Sequence, residues 1–394
     1  MSIRNQIAIS GIGATDFTRA SGRTTEQLAV EACKKAVAEA GLPMSEVDGV
    51  ATFFLGDSAT STVIATSLGL PQLNHYADLS TGGSAACAVV LQAAMAIATG
   101  QARNVLVYRS MNGSSGQRYG GAAFSRALAV TGCHSDAEEQ FLDTAGITNP
   151  VQHFALLCRR HMNLYGTNEA DLGAVARTFR AHAELNPQAM KRKPLSEEDY
   201  YASSMVASPL RGADCCLQSD GAVALLLTSA ERARDLATKP VYLTAGVFGG
   251  GPRTRGGMWG NFIPEHAECY AKYVGENLFR MAGISRDELD FLQLYDCFTY
   301  SVLVQFEDFG FCRKGEAGAF FREGHARLGG KLPVNTGGGL LSEAYIHGLN
   351  LVSEAVVQLR GDAGNRQVAG AQFGLVSAGG AATTGSALIL SGGI

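Results

Sequence analysis

The chain repeats itself, and the repeat limits what it can fold into. Residues Thr24 to Gly41 place Leu28, Ala29, Ala32, Cys33, Ala36 and Val37 at helical spacing, and Gly41 follows as a cap. Next come Leu42-Pro43-Met44-Ser45-Glu46-Val47-Asp48 and an extended run, Gly49 to Phe54. The second half repeats this order. A helix from about Tyr273 to Met281 stops at Gly283, Ile284-Ser285-Arg286-Asp287-Glu288-Leu289-Asp290 follows, and a strand covers Phe291 to Tyr295. Gly41 to Asp48 and Gly283 to Asp290 have the same spacing. Each half then offers a Thr-Gly-Gly turn, Thr81-Gly82-Gly83 and Thr336-Gly337-Gly338, with a helix after it. Each continues into a β-like run, Asn104 to Tyr108 and Gln372 to Val376. Strands alternating with helices predict α/β layers with a largely parallel sheet.

At 394 residues the chain exceeds a single core of roughly 250–300 residues, which suits two packed halves. With 46% hydrophobic and 17% charged residues it can bury a large core, which excludes a disordered chain. Its 48 glycines are well above the about 7% of an average protein, and no three-residue period accompanies them. Tight turns and close packing of helix on sheet account for such an excess. A net charge of −4 gives no basic surplus for phosphate backbones, so nucleic acid is not an expected partner.

Residues Met1 to Gly13 lack the charged start and apolar core of a secretion signal. The longest apolar helix, about Ala85 to Thr99, falls short of the roughly 20 residues that span a bilayer. The final Ser391-Gly392-Gly393-Ile394 matches no peroxisomal address or prenylation box. Nine cysteines, none in a C-x-x-C pair, indicate neither a disulfide framework nor a metal site. A soluble cytoplasmic protein with buried thiols is expected.

The composition changes between the halves. Residues 112–205 read as an inserted loop or lid region, with 1–111 plus 206–238 as the N-terminal half and 239–394 as the C-terminal half. The insertion holds a polar helical stretch around Phe154 to Tyr165 and the basic run Lys191-Arg192-Lys193, which either meets a phosphate or lies on solvated surface. The stretch Gly246 to Gly260 reads as a Gly-rich loop, without the strand-to-helix setting of a phosphate loop.

Ile9-Ser10-Gly11-Ile12-Gly13, Ser219-Asp220-Gly221-Ala222-Val223-Ala224 and the duplicated architecture resemble the thiolase superfamily. The run Leu294-Tyr295-Asp296-Cys297-Phe298 through Gly310-Phe311-Cys312, and Leu332 to Gly339, resemble its sterol-carrier-protein branch. Ser342-Glu343-Ala344-Tyr345-Ile346-His347-Gly348 is similar to the lipid-transfer-protein aldolases of steroid side-chain degradation. The resemblance covers nearly the whole chain. It implies a thiolase-like five-layered α-β-α-β-α sandwich, built from two duplicated halves with an inserted loop domain.

The chain departs from the thiolase pattern where a thiolase does its chemistry. Leu79-Ser80-Thr81-Gly82 stands where the nucleophilic Cys-Ser-x-Gly is expected at the head of the buried helix. Ala344-Tyr345-Ile346 replaces Gly-His-Pro, and Ser377-Ala378-Gly379 replaces the second cysteine motif. Cys87 reads as a small buried hydrophobe; Cys297, beside the site, is the alternative nucleophile. The remaining candidates are Tyr345 at the former base position, Tyr295 where the family binds the thioester oxygen, and Asp296 and His347 close by in sequence. The last three also have plainer explanations: ring packing for Tyr295, a helix cap for Asp296, simple hydrogen bonding for His347.

Two phenols, an acid and an imidazole suit a retro-aldol cleavage, which needs a base and oxyanion donors but no covalent nucleophile. A phenol ionises near pH 10 and is a weak base unless its anion is stabilised, so a neighbouring donor, a helix N-terminus or the other phenol is expected beside it. The resemblance implies an acyl-CoA aldolase acting on a steroid with a three-carbon side chain. It also implies coenzyme A as part of the substrate, with no cofactor bound by this chain. The partner it implies is a small OB-fold and zinc-ribbon protein, with a homodimer inside a heterotetramer. The alternatives are an acyl-CoA acyltransferase with a displaced cysteine and a non-catalytic scaffold subunit.

Overall fold

The computed structural model describes residues 3–116, 144–147, 149–252 and 267–393. The strands are β1 (Ile7–Ala14), β2 (Gly49–Phe53), β3 (His75–Leu79), β4 (Asn104–Asn112), β5 (Met205–Ala207), β6 (Leu210–Arg211), β7 (Asp220–Ser229), β8 (Val241–Gly250), β9 (Phe291–Gln293), β10 (Phe373–Ala378) and β11 (Thr384–Ser391). All but the β5–β6 hairpin form one nine-stranded sheet, ordered β3-β2-β4-β7-β1-β8-β11-β10-β9. The helices are α1 (Thr25–Ala40), α2 (Ser61–Ser67), α3 (Ala86–Ala98), α4 (Pro150–Tyr165), α5 (Glu169–Glu184), α6 (Glu197–Ala202), α7 (Ala230–Ala233), α8 (Ala271–Ala282), α9 (Thr299–Asp308), α10 (Ala317–Arg322), α11 (Gly339–Ser342) and α12 (Leu349–Arg360).

The repeat in sequence is a repeat in space. Helix α1 closes on Gly41 (φ 70°), followed by the single turn Met44–Glu46 and β2. Helix α8 closes on Gly283 (φ 66°), followed by Arg286–Glu288 and β9. Both glycines take the left-handed conformation that other residues adopt at a cost. Within the sheet, β2-β4-β7-β1 matches β9-β10-β11-β8 read inward from the opposite edge. The counterpart of β3 is reduced to a parallel bridge between Leu292 and Val334.

The sheet is mixed, which corrects the expectation of a largely parallel one. Only β2–β3, β2–β4 and β9–β10 are parallel; β4–β7, β7–β1, β1–β8, β8–β11 and β11–β10 are antiparallel. Strand β11 follows β10 after only residues 379–383, too short a link for a parallel crossover. The sequence pattern had not separated β11 from β10. A second correction concerns Gly246 to Gly250, which extend β8 across from Thr384–Leu388 and are not loop. The rest of that expected loop, 253–260, lies outside the described residues, as do 117–143 of the insertion.

Helices α3 and α12 lie between the two halves of the sheet, each packing on strands of both. Helix α1 covers β1, β4 and β7 from outside, and α8 covers β8 and β11. On β11, Ser386 accepts the Ala88 N–H of α3, while the adjacent Gly385 faces Tyr270 at the head of α8. Neighbouring strand residues point to opposite faces, so the layers run α-β-α-β-α. The halves join edge to edge at Ala8–Tyr242 and Ile9–Val241.

Glycine is what brings α1 so close to β1. A Cβ at Gly11 would overlap the Ala36 carbonyl, and one at Gly13 the Ala32 carbonyl. Gly13→Ala should therefore lower unfolding free energy by about 2–4 kcal/mol in urea denaturation, through overpacking against backbone that cannot yield. Unchanged stability would show that α1 is free to move outward.

Candidate active site

The chain is stapled where β9 ends. Leu294 N–H donates to Asn335 Oδ1 (2.6 Å), and Asn335 Nδ2 donates to the Leu294 carbonyl (2.8 Å). Tyr295 N–H donates to Ser377 Oγ (3.0 Å), Ser377 donates to Gln305 Oε1 (2.7 Å), and Gln305 Nε2 returns to the Tyr295 carbonyl (2.9 Å). Ser377, at the place of the second thiolase cysteine, thus holds the Tyr295 backbone. On the other side, Tyr345 N–H donates to Ser219 Oγ (2.9 Å).

These supports bring the two phenols together. The hydroxyls of Tyr295 and Tyr345 share a hydrogen bond of 3.1 Å, and both side chains are buried. The Tyr295 hydroxyl lies against Gly83, where a Cβ would overlap it. Gly83 opens the turn Gly83–Ala85 that leads into α3. The phenol therefore stands at the head of the buried helix, where the helix dipole favours negative charge.

His347 is the third member. It has a left-handed backbone (φ 53°), and its ring packs 5.3 Å from that of Tyr345 and 5.6 Å from Phe53. Arg109 reaches it from β4: Nη2 lies 3.0 Å from His347 Nδ1 and 2.7 Å from Asp57 Oδ2, with the guanidinium over Phe53. A guanidinium only donates, so Nδ1 accepts and the neutral ring carries its proton on Nε2. Burial, reinforced by the Arg109 charge, pushes the imidazolium down to about 3, so His347 is neutral at pH 7. Burial raises Asp57, but the Arg109 charge together with the hydrogen bonds from Leu55 N–H and Arg109 leaves the carboxyl below its usual range.

Asp296 faces elsewhere. Its carboxylate accepts the Leu340 N–H (2.9 Å) and Leu341 N–H (3.1 Å), capping α11, and burial pushes it up to about 7. Because α11 leads into the Tyr345 segment, this cap holds that segment in place. Of the four residues expected from sequence, the structure joins Tyr295 and Tyr345 directly, sets His347 on Tyr345, and puts Asp296 on the helix beside them. The sequence reading missed Arg109, Asp57 and Glu343. Arg109 was visible as the one charge in the apolar strand Asn104–Met111; Asp57 and Glu343 carried no such sign.

Among the described residues no thiol is activated here. Cys87 is fully buried, burial pushes its thiol well up, and its Sγ sits 3.6 Å from the Val376 carbonyl. Burial likewise pushes Cys297 up to about 12. Leu79, in the nucleophile's place, packs against the core. Among the described residues no group of three or more His, Cys, Asp or Glu is placed to hold a metal. Among them, too, no helix is long and apolar enough to cross a membrane.

Glu343, two residues before Tyr345, accepts from Asn186 Nδ2 (2.9 Å) and Asn350 Nδ2 (2.7 Å). Burial, then repulsion from Glu354, pushes its carboxyl up to about 8. The unfolded chain loses this proton at ordinary carboxylate pH and the folded chain only near 8, so stability falls as pH rises between those points. Glu343→Gln, which does not titrate, should gain melting temperature relative to the parent as pH rises from about 5 to about 8. A constant difference across that range would show that Glu343 ionises normally.

Comparison with known proteins shows the family. A family model described as "Thiolase C-terminal domain-like" matches residues 264–392. The chain is 42% identical, over 98% of its length and 100% of the relative's, to a 17-hydroxy-3-oxo-4-pregnene-20-carboxyl-CoA lyase of Mycobacterium tuberculosis. It is 41% identical, over 91% of both chains, to a steroid side-chain-cleaving aldolase of Thermomonospora curvata. A solved structure, the Ltp2-ChsH2(DUF35) aldolase, superposes with a TM-score of 0.90 at 39% identity over 99% of both chains. With a thiolase-like fold and identity above 40% to two relatives over nearly their whole length, the chain belongs to the thiolase superfamily, in its branch of steroid side-chain-cleaving aldolases.

Proposed function

We infer that the chain is an acyl-CoA aldolase, a carbon–carbon lyase that cleaves a β-hydroxyacyl-CoA by a retro-aldol reaction. The observation that carries this is the pair of phenols 3.1 Å apart at the head of α3, in a site whose thiols are buried and held protonated. One phenol, as its anion, takes the proton of the β-hydroxyl. The bond between the carbinol carbon and the thioester α-carbon breaks, and its electron pair enters the thioester enolate. The carbinol carbon becomes a ketone, and the second phenol supplies the proton that the α-carbon takes up. The enolate oxygen meets the start of α3, where backbone N–H groups stabilise developing charge. His347, held by Arg109 as the Nε2–H tautomer, is a neutral donor beside Tyr345.

The substrate we propose is the coenzyme A thioester of a steroid with a three-carbon side chain, giving a 17-ketosteroid and propionyl-CoA. A relative named a 17-hydroxy-3-oxo-4-pregnene-20-carboxyl-CoA lyase and one named a steroid side-chain-cleaving aldolase support it. Coenzyme A enters as part of the substrate, and we propose no cofactor bound by this chain. A small OB-fold and zinc-ribbon partner, around a homodimer, is proposed from the similar aldolase, which is paired with a ChsH2(DUF35) protein. A cytoplasmic location goes with a coenzyme A substrate.

Tyr345→Phe removes one hydroxyl and keeps the ring packing. In complex with the partner, its turnover should fall about a hundred- to a thousandfold, with melting temperature nearly unchanged. Cys87→Ala and Cys297→Ala together should keep most turnover. A collapse of turnover in the thiol variant, with a covalent acyl-enzyme seen by mass spectrometry, would replace the aldolase reading with acyl transfer.

A further inference from the structure

The carboxyl of Glu343 sits where three parts of the chain cross: the insertion just beyond α5, the segment that carries Tyr345, and the start of α12. Asn186 donates from Nδ2 both to Glu343 Oε1 (2.9 Å) and to the Gly337 carbonyl (2.9 Å). Asn350 does the same from the other side, donating from Nδ2 to Glu343 Oε2 (2.7 Å) and to the Ala344 carbonyl (3.1 Å). The Glu343 carbonyl in turn accepts the Met190 N–H (2.9 Å). Glu343, Asn186 and Asn350 are all buried.

Each of these amides thus holds Glu343 with one hydrogen and the support of a phenol with the other. Gly337 lies two residues beyond Asn335, whose side chain staples Leu294, the residue before Tyr295. Ala344 is the residue before Tyr345. Glu343 therefore links the two supports. His182 of α5 reinforces the Tyr295 side: its Nε2 accepts the Leu328 N–H (3.1 Å), so Nδ1 carries the ring proton and donates to the Asn335 carbonyl (3.1 Å). Burying a carboxyl here costs stability, with Glu354 of α12 as a like charge close by and Arg366 as an opposite one. An apolar side chain would fill the space without that cost, and would leave both amides without their acceptor.

We propose that Glu343 is a positioning residue for the reaction: through Asn186 and Asn350 it sets the contact between the Tyr295 and Tyr345 hydroxyls. This rests on the aldolase reading above. The insertion is thereby tied to the chemistry, because Asn186 reaches the phenols' supports from just beyond α5.

The test compares kcat and KM for a β-hydroxyacyl-CoA, in complex with the partner, and the crystal structures of the same variants. Glu343→Ala should lower kcat about ten- to a hundredfold with KM nearly unchanged, the mark of misplaced reacting groups. Asn186→Ala, which leaves the Asn350 bonds in place, should act in the same direction. Glu343→Gln, which keeps an oxygen for Asn186, should lose less than Glu343→Ala. Because Glu343 acts through the phenols, Glu343→Ala should cost little more once Tyr345→Phe is present. A loss as large in that background as in the parent, or an unchanged kcat in Glu343→Ala and Asn186→Ala, would overturn the proposal. The structures give a readout independent of turnover: in Glu343→Ala the two hydroxyls should part beyond hydrogen-bond distance. Hydroxyls still 3.1 Å apart there would also overturn it. Hydroxyls that part in Glu343→Ala, in a chain whose parent cleaves no β-hydroxyacyl-CoA, would uphold the positioning and reject the reaction.

Discussion

Two buried phenols touching at the start of a buried helix set the demands that the rest of the structure meets. Tyr295 comes from the end of β9 and Tyr345 from the segment between α11 and α12, so their contact depends on two chain segments staying in register. Ser377 and Gln305 hold one backbone, Ser219 holds the other, and Gly83 leaves room for a hydroxyl where any side chain would collide. The thiolase frame is retained. Ser377, where the resemblance puts a second cysteine, offers a hydroxyl that holds the Tyr295 backbone.

The site is assembled at the expense of stability. His347 has a backbone conformation unusual for a side-chain-bearing residue, Asp57 and Arg109 are charges sealed in the core, and Asp296 and Glu343 are carboxyls pushed upward by burial. A buried ion pair at best offsets its own desolvation, and unusual backbone persists where surroundings impose it. What the arrangement achieves is a fixed tautomer and fixed rings. Arg109 can only donate, so His347 has one proton to give and one place to give it from.

Much of this was legible in the sequence. The Gly41–Asp48 and Gly283–Asp290 repeats marked the duplication, and the loss of cysteine at Leu79 and Ser377 marked the chemistry that had been given up. Tyr295 and Tyr345 stood out because the resemblance puts reactive groups at their positions, and the structure brings their hydroxyls into contact. Asp57 and Arg109 were not, because their partner His347 lies more than two hundred residues away in the chain and only the closed sandwich brings them together. The antiparallel strands were missed for a related reason: alternation of helix and strand reveals layers, while strand direction depends on connections whose path the pattern does not record. Asp296 shows the opposite limit. Its place in sequence suggested chemistry, and its two bonds are those of a helix cap.

The central claim is that the phenols act as one coupled unit. A double-mutant cycle of turnover on a β-hydroxyacyl-CoA, comparing Tyr295→Phe, Tyr345→Phe and the double variant in complex with the partner, tests it most directly. Groups that act as a unit are strongly non-additive, so the double variant should be about as slow as the slower single one. Losses that multiply, each hydroxyl contributing independently, would contradict the account.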